Sequence, residues 1–186
     1  LRLFNEFGTD NFQRMIEKIT VNPGMLNFLN GEYNHRWEPN ENYARELLEL
    51  FTIQKGPQVG PEDYTHYTEE DIRVVARLLT GWRNRGMWSE AEGIVESWMD
   101  QNWHDTDPKQ LSHRFDNVVI QNVKNPEEEY KDLIAIIFAK LETARAFCRE
   151  VYRFFVYYDI DETIESTIIE PMATMLFNDD YELQPT

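Results

Sequence analysis

The stretch Pro39-Asn40-Glu41-Asn42-Tyr43-Ala44-Arg45-Glu46-Leu47-Leu48-Glu49-Leu50-Phe51-Thr52 decides the fold class. At about 100° per residue, its apolar side chains fall on one broad side of a helix and its polar side chains on the other. Asn40 stands where a helix N-cap is expected, because its side chain can accept a hydrogen bond from the first turn. The stretch therefore predicts a capped amphipathic helix and, with it, a mainly α protein.

Similar patterns predict helices on both sides of this stretch. Upstream, apolar residues at helical spacing cover about 10–20, and Asn22-Pro23 offers a cap followed by proline at the first helical position. Downstream, Thr68-Glu69-Glu70-Asp71 is a cap with an acidic first turn. Helices resume after Asn125-Pro126 and continue toward the end of the chain, where Pro171 should kink or split the last one.

A central region differs from the helices around it. Residues 83–125 lack a helical period and contain several helix breakers. Within them, Glu96–Met99 and residues 115–123 have the composition of strands, with a turn at residues 104–108 between them. We therefore predict a small β-hairpin insert around residues 95–123 in an otherwise irregular helical array. The whole chain is expected to form one helical domain.

Composition excludes several classes of protein. The chain of 186 residues is 41% hydrophobic and 13% aromatic, which is typical of a folded domain rather than a disordered one. Its formal net charge of -16 repels phosphate backbones, so nucleic-acid binding is not expected. No apolar run approaches the roughly 20 residues that span a bilayer. The single cysteine, Cys148, cannot form an internal disulfide.

Six segments carry a family resemblance, in order along nearly the whole chain. They are residues 22–31, 39–52, 68–82, the His104-Asp105 turn with Lys109, 149–156 and 179–182. With these segments the chain resembles the large bacterial family known as domain of unknown function 1800. The run Asn40-Glu41-Asn42-Tyr43-Ala44-Arg45-Glu46-Leu47 is the specific part of the resemblance.

The resemblance implies a context rather than a reaction. Members of the family are longer, so the chain is expected to be a central portion of a larger protein. They often carry export signals, which implies a periplasmic or cell-surface location. The partners then expected are the flanking domains of its own longer chain and another exported bacterial protein. Since the family brings no reaction with it, a structural or interaction role is the leading hypothesis.

The polar face of the quoted helix is the first candidate site. Asn42, Arg45, Glu46 and Glu49 lie together on it, next to the cap Asn40. These residue types favour an internal polar network in which Arg45 holds carboxylates, because amides and an arginine interrupt the Lys and Glu of an ordinary solvated face. The alternatives are a solvated face with a weak Arg45–Glu49 pair and a carboxylate-lined pocket.

His104-Asp105, with Asp107, is the second candidate site. Imidazole and carboxylate can bind a divalent metal, or Asp105 can orient His104 as a base. If Glu46 and Glu49 converge with them, the four would be the catalytic groups of a metal-assisted hydrolase. A metal site needs three or four ligands, so the structural alternative is a turn in which an aspartate bonds its own backbone. No other cofactor is predicted.

Trp82, Trp98 and Trp103 form the third candidate site. Their rings can stack on sugars, which predicts a carbohydrate-binding module if they are exposed. Tryptophans in an irregular region also commonly fill a core. The sequence leaves both readings open.

Overall fold

The computed structural model describes residue 8, residues 10–85 and residues 95–184. In these residues the chain is mainly α with small two-stranded hairpins, as the sequence predicts. The helices are α1 (Phe12–Thr20), α2 (Pro23–Phe28), α3 (Glu41–Glu46), α4 (Glu69–Leu78), α5 (Glu129–Phe138), α6 (Leu141–Phe155), α7 (Glu162–Ile164) and α8 (Glu170–Asn178). Two π-helical segments, Leu47–Phe51 and Glu165–Ile169, follow α3 and α7.

Short strands form antiparallel pairs between the helices. The pairs are β1 (Gln58–Gly60) with β2 (Asp63–Tyr64), β3 (Trp82–Arg85) with β4 (Glu96–Met99), and β5 (Lys109–Gln110) with β6 (Val119–Ile120). The strand predicted at Glu96–Met99 is confirmed. The prediction that it pairs with residues 115–123 is wrong, because β4 pairs with β3 and β6 pairs with β5. Part of the predicted irregular region, residues 86–94, lies outside the described residues.

Contacts at the end of α4 explain why β4 pairs with the preceding strand β3 and not with residues 115–123. Asp100 N–H donates to the Gly81 carbonyl at 2.8 Å, so the chain returns to α4 directly after β4. Gly81 has a φ of +90°, and a Cβ at this position would lie 2.9 Å from His104 Cβ. Only glycine suits both this conformation and this close approach. Residues 104–108 are therefore packed against α4 and are not free to form a hairpin turn between β4 and residues 115–123.

The helix starts follow the capping signals of the sequence. The side chains of Asn22, Asn40 and Thr68 each accept a backbone N–H from the first turn of α2, α3 and α4. Pro171 lies in the first turn of α8, directly after a π-helical segment. Because proline has no N–H to donate, the α-helical ladder cannot continue through it. The π-helical segment Glu165–Ile169 thus interrupts the α-helical ladder directly before Pro171, the position at which the sequence predicts a kink or a split.

Helix α4 lies at the centre of one hydrophobic cluster that extends from α1 to α8. Its apolar residues are at most 3% exposed, and α3 packs along it. Burial of each Ile, Val or Leu side chain among them contributes about 1.5–3 kcal/mol. The residues that form this buried surface of α4 are Ile72, Val74, Val75, Ala76 and Leu78.

A buried carboxylate fixes the start of α4 to a distant loop. Asp71 is fully buried and accepts hydrogen bonds from Thr68 N–H at 2.7 Å and from the Thr68 hydroxyl at 2.9 Å. It also accepts from Ser112 N–H and the Ser112 hydroxyl, both at 2.7 Å. The bond from the Thr68 N–H completes a capping box together with the Asp71 N–H, which donates to the Thr68 hydroxyl oxygen at 3.3 Å. The two bonds from Ser112 hold the segment after β5. Asp71 thus links helix initiation to tertiary structure.

Replacement of Asp71 should therefore destabilise the fold well beyond the loss of a helix cap. Asp71→Ala leaves buried donors of Thr68 and Ser112 without an acceptor, and we expect a loss of about 3 kcal/mol in the free energy of unfolding, measured in urea. Glu70→Ala is the matched control, because Glu70 is exposed on the same turn, and it should change stability little. Equal effects of the two substitutions would contradict the role given to Asp71.

Candidate functional site

Arg45 joins α3 to the first turn of α4. Its guanidinium donates two hydrogen bonds to Glu69, from Nη1 to Oε1 at 3.1 Å and from Nη2 to Oε2 at 2.7 Å. Glu41 and Glu49 lie farther from the guanidinium, at 3.5 Å and 3.7 Å. Sequence reasoning found Arg45 and Glu49 but missed Glu69. The one available signal was the place of Glu69 in the acidic first turn of the next helix.

Lys55 and Tyr67 extend this group of charges. Lys55 Nζ lies 3.1 Å from Glu49 Oε1 and 3.7 Å from Glu69 Oε1. The Tyr67 hydroxyl donates to Glu49 Oε1 at 2.6 Å. Two carboxylates thus face two cations across α3 and α4. We call Arg45, Glu49, Lys55, Tyr67 and Glu69 the α3–α4 network.

Both carboxylates of the α3–α4 network are stabilised as anions. The hydrogen bond from Arg45 holds the pKa of Glu69 below its usual range, against the opposing effect of burial. Burial raises the pKa of Glu49, but the hydrogen bonds from Tyr67 and Lys55 outweigh it and leave this pKa below its usual range. Burial, followed by the bond to Glu49, raises the pKa of Tyr67. A general acid or base works best with a pKa near the working pH, and these shifts move the groups away from it.

The other residues of the predicted polar stripe lie outside the α3–α4 network. Asn40 accepts the Asn42 N–H at 2.9 Å, and the Asn42 side-chain amide donates to the Leu29 carbonyl at 3.3 Å. Glu46 is half-buried, and its side chain makes no hydrogen bond or ion pair with any described residue. The structure therefore brings Arg45 and Glu49 together, uses the two asparagines in backbone contacts, and leaves Glu46 apart.

His104 points into the core. It is fully buried, and its Nδ1 lies 2.9 Å from the Thr80 carbonyl oxygen. Because a carbonyl only accepts hydrogen bonds, Nδ1 carries the hydrogen. Nε2 lies 3.3 Å from Glu129 Oε2 and 3.4 Å from Lys109 Nζ. His104 is thus enclosed by the end of α4, by β5 and by α5.

Lys109 and Glu129 form a buried ion pair beside His104. They are 0% and 2% exposed, and Lys109 Nζ lies 2.7 Å from Glu129 Oε2. Lys109 also donates to the Asp105 carbonyl, and Glu129 Oε1 accepts the Asn122 N–H at 3.0 Å. Burial raises the pKa of Glu129, but the contacts with His104, Lys109 and Asn122 outweigh it and hold this pKa below its usual range. We call His104, Lys109 and Glu129 the buried triad.

Asp105 lies on the other side of the turn from the buried triad. Its carboxylate accepts two hydrogen bonds from Arg77 of α4, at 2.7 Å and 3.3 Å. It also accepts the Asp107 N–H at 2.9 Å, which is a bond to its own backbone turn. The Asp105 N–H donates to the Thr80 hydroxyl at 2.8 Å. This aspartate therefore fixes the turn and does not orient the neighbouring imidazole.

Glu49 and Asp105, two of the groups predicted for a metal-assisted hydrolase, contact opposite ends of α4 through arginines. Glu69, the partner of Arg45, begins α4, whereas Arg77, the partner of Asp105, lies near its end. Eight residues at 1.5 Å each separate them by about 12 Å along the helix axis. Across the described parts of the chain, no group of three or more His, Cys, Asp or Glu side chains is placed to hold a metal ion.

The three candidate tryptophans do not share one surface. Trp82 is 7% exposed and packs edge-on against Tyr130, with 5.6 Å between ring centroids. Trp98 on β4 is 45% exposed. Trp103 is half-buried, and the guanidinium carbon of Arg83 lies 3.4 Å from its ring centroid. Trp82 therefore fills the core, whereas the side chains of Trp98 and Trp103 remain partly exposed to solvent.

An apolar groove opens between α1, the π-helical segment after α3, and α6. It has a volume of about 360 Å³. Sequence reasoning missed it, because apolar residues at helical spacing look the same whether they line a core or a groove. Its lining includes Met15, Ile19, Met25, Leu50, Phe51 and Phe147.

Helix α6 ends in a run of exposed apolar residues. Residues 154–158, Phe-Phe-Val-Tyr-Tyr, are between 54% and 82% exposed, and we call them the aromatic strip. Phe154 lies seven residues after Phe147 and four after Glu150, both of which line the groove. Side chains at this spacing share one face of a helix, so Phe154, the first residue of the aromatic strip, lies on the helix face that lines the groove. An exposed apolar run of this kind is typical of an interaction site.

These observations define a mainly α structure whose polar side chains chiefly join its helices and hairpins. The chain matches the family model described as protein of unknown function (DUF1800) over residues 2–186, and it belongs to that family. The family prediction made from the sequence is thereby confirmed. No curated protein and no solved structure matches the chain. Within the described ranges, none of the helices has the length and apolar character needed to cross a membrane.

Removal of Arg45 should destabilise the packing of α3 on α4. Arg45→Ala leaves half-buried Glu69 without its bidentate partner, so we expect the free energy of unfolding to fall by more than about 1 kcal/mol. Arg45→Lys should recover only part of this, because an ammonium cannot reproduce the two parallel bonds. Thermal and urea unfolding measure the effect. Arg73→Ala serves as control, because it removes only the exposed ion pairs that Arg73 of α4 forms with Glu62 and Glu70. A negligible shift in the Arg45→Ala midpoint would contradict the network.

The buried triad predicts that the difference in free energy of unfolding between the wild type and Glu129→Gln depends on pH. Glu129 has a folded pKa below its unfolded value of about 4.5. Its ionised form therefore contributes stability that is present above about pH 4.5 and is lost as the pH falls through the folded pKa. Glu129→Gln should lower the free energy of unfolding by about 3 kcal/mol at neutral pH, and this gap from wild type should shrink in acid.

Urea unfolding of the wild type and Glu129→Gln at a series of pH values measures the gap. Glu127→Gln is the control, because Glu127 precedes α5 in the same acidic segment and lies outside the buried triad. That variant should follow the wild-type pH profile. A gap for Glu129→Gln that stays constant down to acid pH would show that the carboxylate of Glu129 is not stabilised by its neighbours.

Proposed function

We propose that this chain is a non-catalytic helical module that binds a protein segment through the apolar groove and the aromatic strip. The observation that carries the proposal is the strip itself, five consecutive apolar residues that stay exposed at the end of α6. Interfaces that are permanently covered are more apolar than ordinary protein surface. The strip and the groove together have the character of such an interface.

The occupant we propose is a helix from a flanking domain of the longer protein to which the family resemblance assigns this chain. The groove runs between helices, which suits the apolar face of another helix. Asp159, Asp161 and Glu162 follow the strip directly and are exposed. Residues 141–186 contain ten acidic and three basic residues. The incoming helix should therefore carry Lys or Arg beside its apolar face.

Charge also argues against two other occupants. A second copy of this chain brings another net charge of -16, and the two copies repel each other at low ionic strength. An anionic lipid surface is repelled for the same reason. A basic amphipathic helix is attracted by the charge and bound by the apolar surface, so it satisfies both features of the site.

Catalysis at the predicted polar groups has less support than binding. The members of the buried triad are at most 2% exposed, so a substrate has no access to them without unfolding of the surrounding turn. In the α3–α4 network, each carboxylate is paired with a cation. These groups stabilise the scaffold that presents the groove.

We also propose that the module works in the periplasm or at the cell surface, next to other exported bacterial proteins. The support is the family resemblance. Osmotic-shock fractionation of cells that express the full-length protein tests this location. Release with a periplasmic marker, or surface labelling of intact cells, is the expected result. Recovery with a cytoplasmic marker would overturn it.

Binding of model helices tests the docking proposal directly. Three labelled peptides of about five helical turns are titrated into the chain: one with a Leu face and Lys flanks, one with the same face and Glu flanks, and one with Ser in place of Leu and Lys flanks. Only the Leu/Lys peptide should bind saturably, because binding needs both the apolar face and the opposite charge. Its affinity should fall as salt is added.

Matched variants connect this binding to the strip. The double substitution Phe154→Ser and Phe155→Ser should weaken binding of the Leu/Lys peptide by about tenfold or more. Val123→Ser is the control, because Val123 is 80% exposed elsewhere on the chain, and it should have no effect. Equal binding of all Lys-flanked peptides would reduce the interaction to charge alone and overturn the proposal. If the chain instead forms a dimer that the double substitution dissociates, the occupant of the groove is a second copy of the chain and not a flanking helix.

A further inference from the structure

We infer that a small pocket beside Trp37 binds a neutral sugar. The pocket has a volume of about 230 Å³ and is lined by Arg36, Trp37, Asp105, Thr106 and Asp107. Drug-sized ligands occupy pockets of roughly 300–1,000 Å³, so this one suits a ligand with a single small ring. The inference is independent of the docking proposal, because the pocket and the aromatic strip share no residue.

The Trp37 ring is held in place while much of it stays exposed. It belongs to a tight turn that the Glu38 N–H closes on the His35 carbonyl at 3.0 Å. The Arg36 N–H fastens this turn to the Trp103 carbonyl at 2.9 Å. The Trp37 and Trp103 rings meet at 77°, with 5.9 Å between centroids, yet Trp37 is 63% exposed. An aromatic ring that is already ordered loses little entropy when a ligand stacks on it.

The polar side of the pocket combines one fixed group with several available ones. Asp105 is fixed by Arg77 and by the Asp107 N–H. The Arg36 guanidinium carbon lies over the Trp37 ring, 4.7 Å from the ring centroid. The side chains of Arg36, Thr106 and Asp107 form no hydrogen bond or ion pair with any described residue. A guanidinium, a hydroxyl and a carboxylate are therefore available around one ring.

The charge of the pocket selects a neutral ligand. The formal charges of Arg36 and Asp107 are equal and opposite, and the charge of Asp105 is neutralised by its ion pair with Arg77. A cation or an anion would therefore gain little from the pocket as a whole. A sugar has vicinal hydroxyls that can accept from a guanidinium and donate to a carboxylate at the same time. Its C–H face can lie on the indole ring, so it uses every group that the pocket offers.

Sugar titrations followed by NMR test the inference on the intact chain. The probes are glucose, galactose, mannose, N-acetylglucosamine, cellobiose and maltose, with glucuronate and glucosamine as charged analogues. The readout is the indole N–H signals of the five tryptophans, assigned with single Trp→Phe variants. At least one neutral sugar should shift the Trp37 signal saturably, and it should bind more tightly than either charged analogue.

Three variants separate a sugar site from other causes of a signal change. Trp37→Ala loses its own indole signal, so its binding is followed through the neighbouring Trp103 signal. It should raise the Kd of the bound sugar by about tenfold or more, as expected for a central aromatic contact. Asp107→Asn, which keeps the shape and removes the charge, should raise it by a smaller factor. Trp98→Ala is the control, because Trp98 is 45% exposed outside the pocket, and it should leave the Kd unchanged.

Three results would overturn the inference. The first is the absence of any saturable shift up to the solubility of every neutral sugar. The second is a shift that Trp37→Ala does not weaken, and the third is tighter binding of a charged analogue. The double substitution Phe154→Ser and Phe155→Ser should not alter sugar binding, so failure of the docking proposal and failure of this inference can be told apart.

Discussion

The buried ion pair between Lys109 and Glu129 is the interaction on which the rest of the structure depends. It fixes β5 to α5, and His104 extends the contact to Thr80 at the end of α4. Two charges removed from water are tolerated only when their remaining hydrogen-bonding groups are satisfied, and here the Asp105 carbonyl and the Asn122 N–H satisfy them. The hairpin insert is thereby joined to the helices before and after it.

Helix α4 carries three further polar contacts along its length. Arg45 bonds Glu69 at its start, Asp71 holds Ser112 two residues later, and Arg77 holds Asp105 near its end. Residue types that often signal catalysis are used here to position segments of chain that lack regular structure. A domain with such a fixed interior can expose an apolar strip and a small polar pocket without losing its shape.

The sequence predicts the helices because their signals are local. Asn22, Asn40 and Thr68 mark helix starts through hydrogen bonds to residues two or three positions away, and apolar periodicity marks the buried faces. Strand pairing is not local: β5 and β6 have two residues each, too few for a pattern to specify a partner. The positions of the site residues are not local properties either, since the adjacent side chains of His104 and Asp105 point in different directions. The burial of Lys109 could not be predicted, because lysine is normally exposed.

Native-state amide hydrogen exchange of the wild type and Glu129→Gln tests most directly the claim that the buried triad joins the hairpin insert to the helices before and after it. Amides of α4, β5 and α5 should exchange with one common free energy in the wild type, because they belong to one cooperative unit. Glu129→Gln should lower that free energy by the same amount in all three elements. Unchanged protection of α4 together with lost protection of β5 would show that the triad is a local contact and would contradict the account.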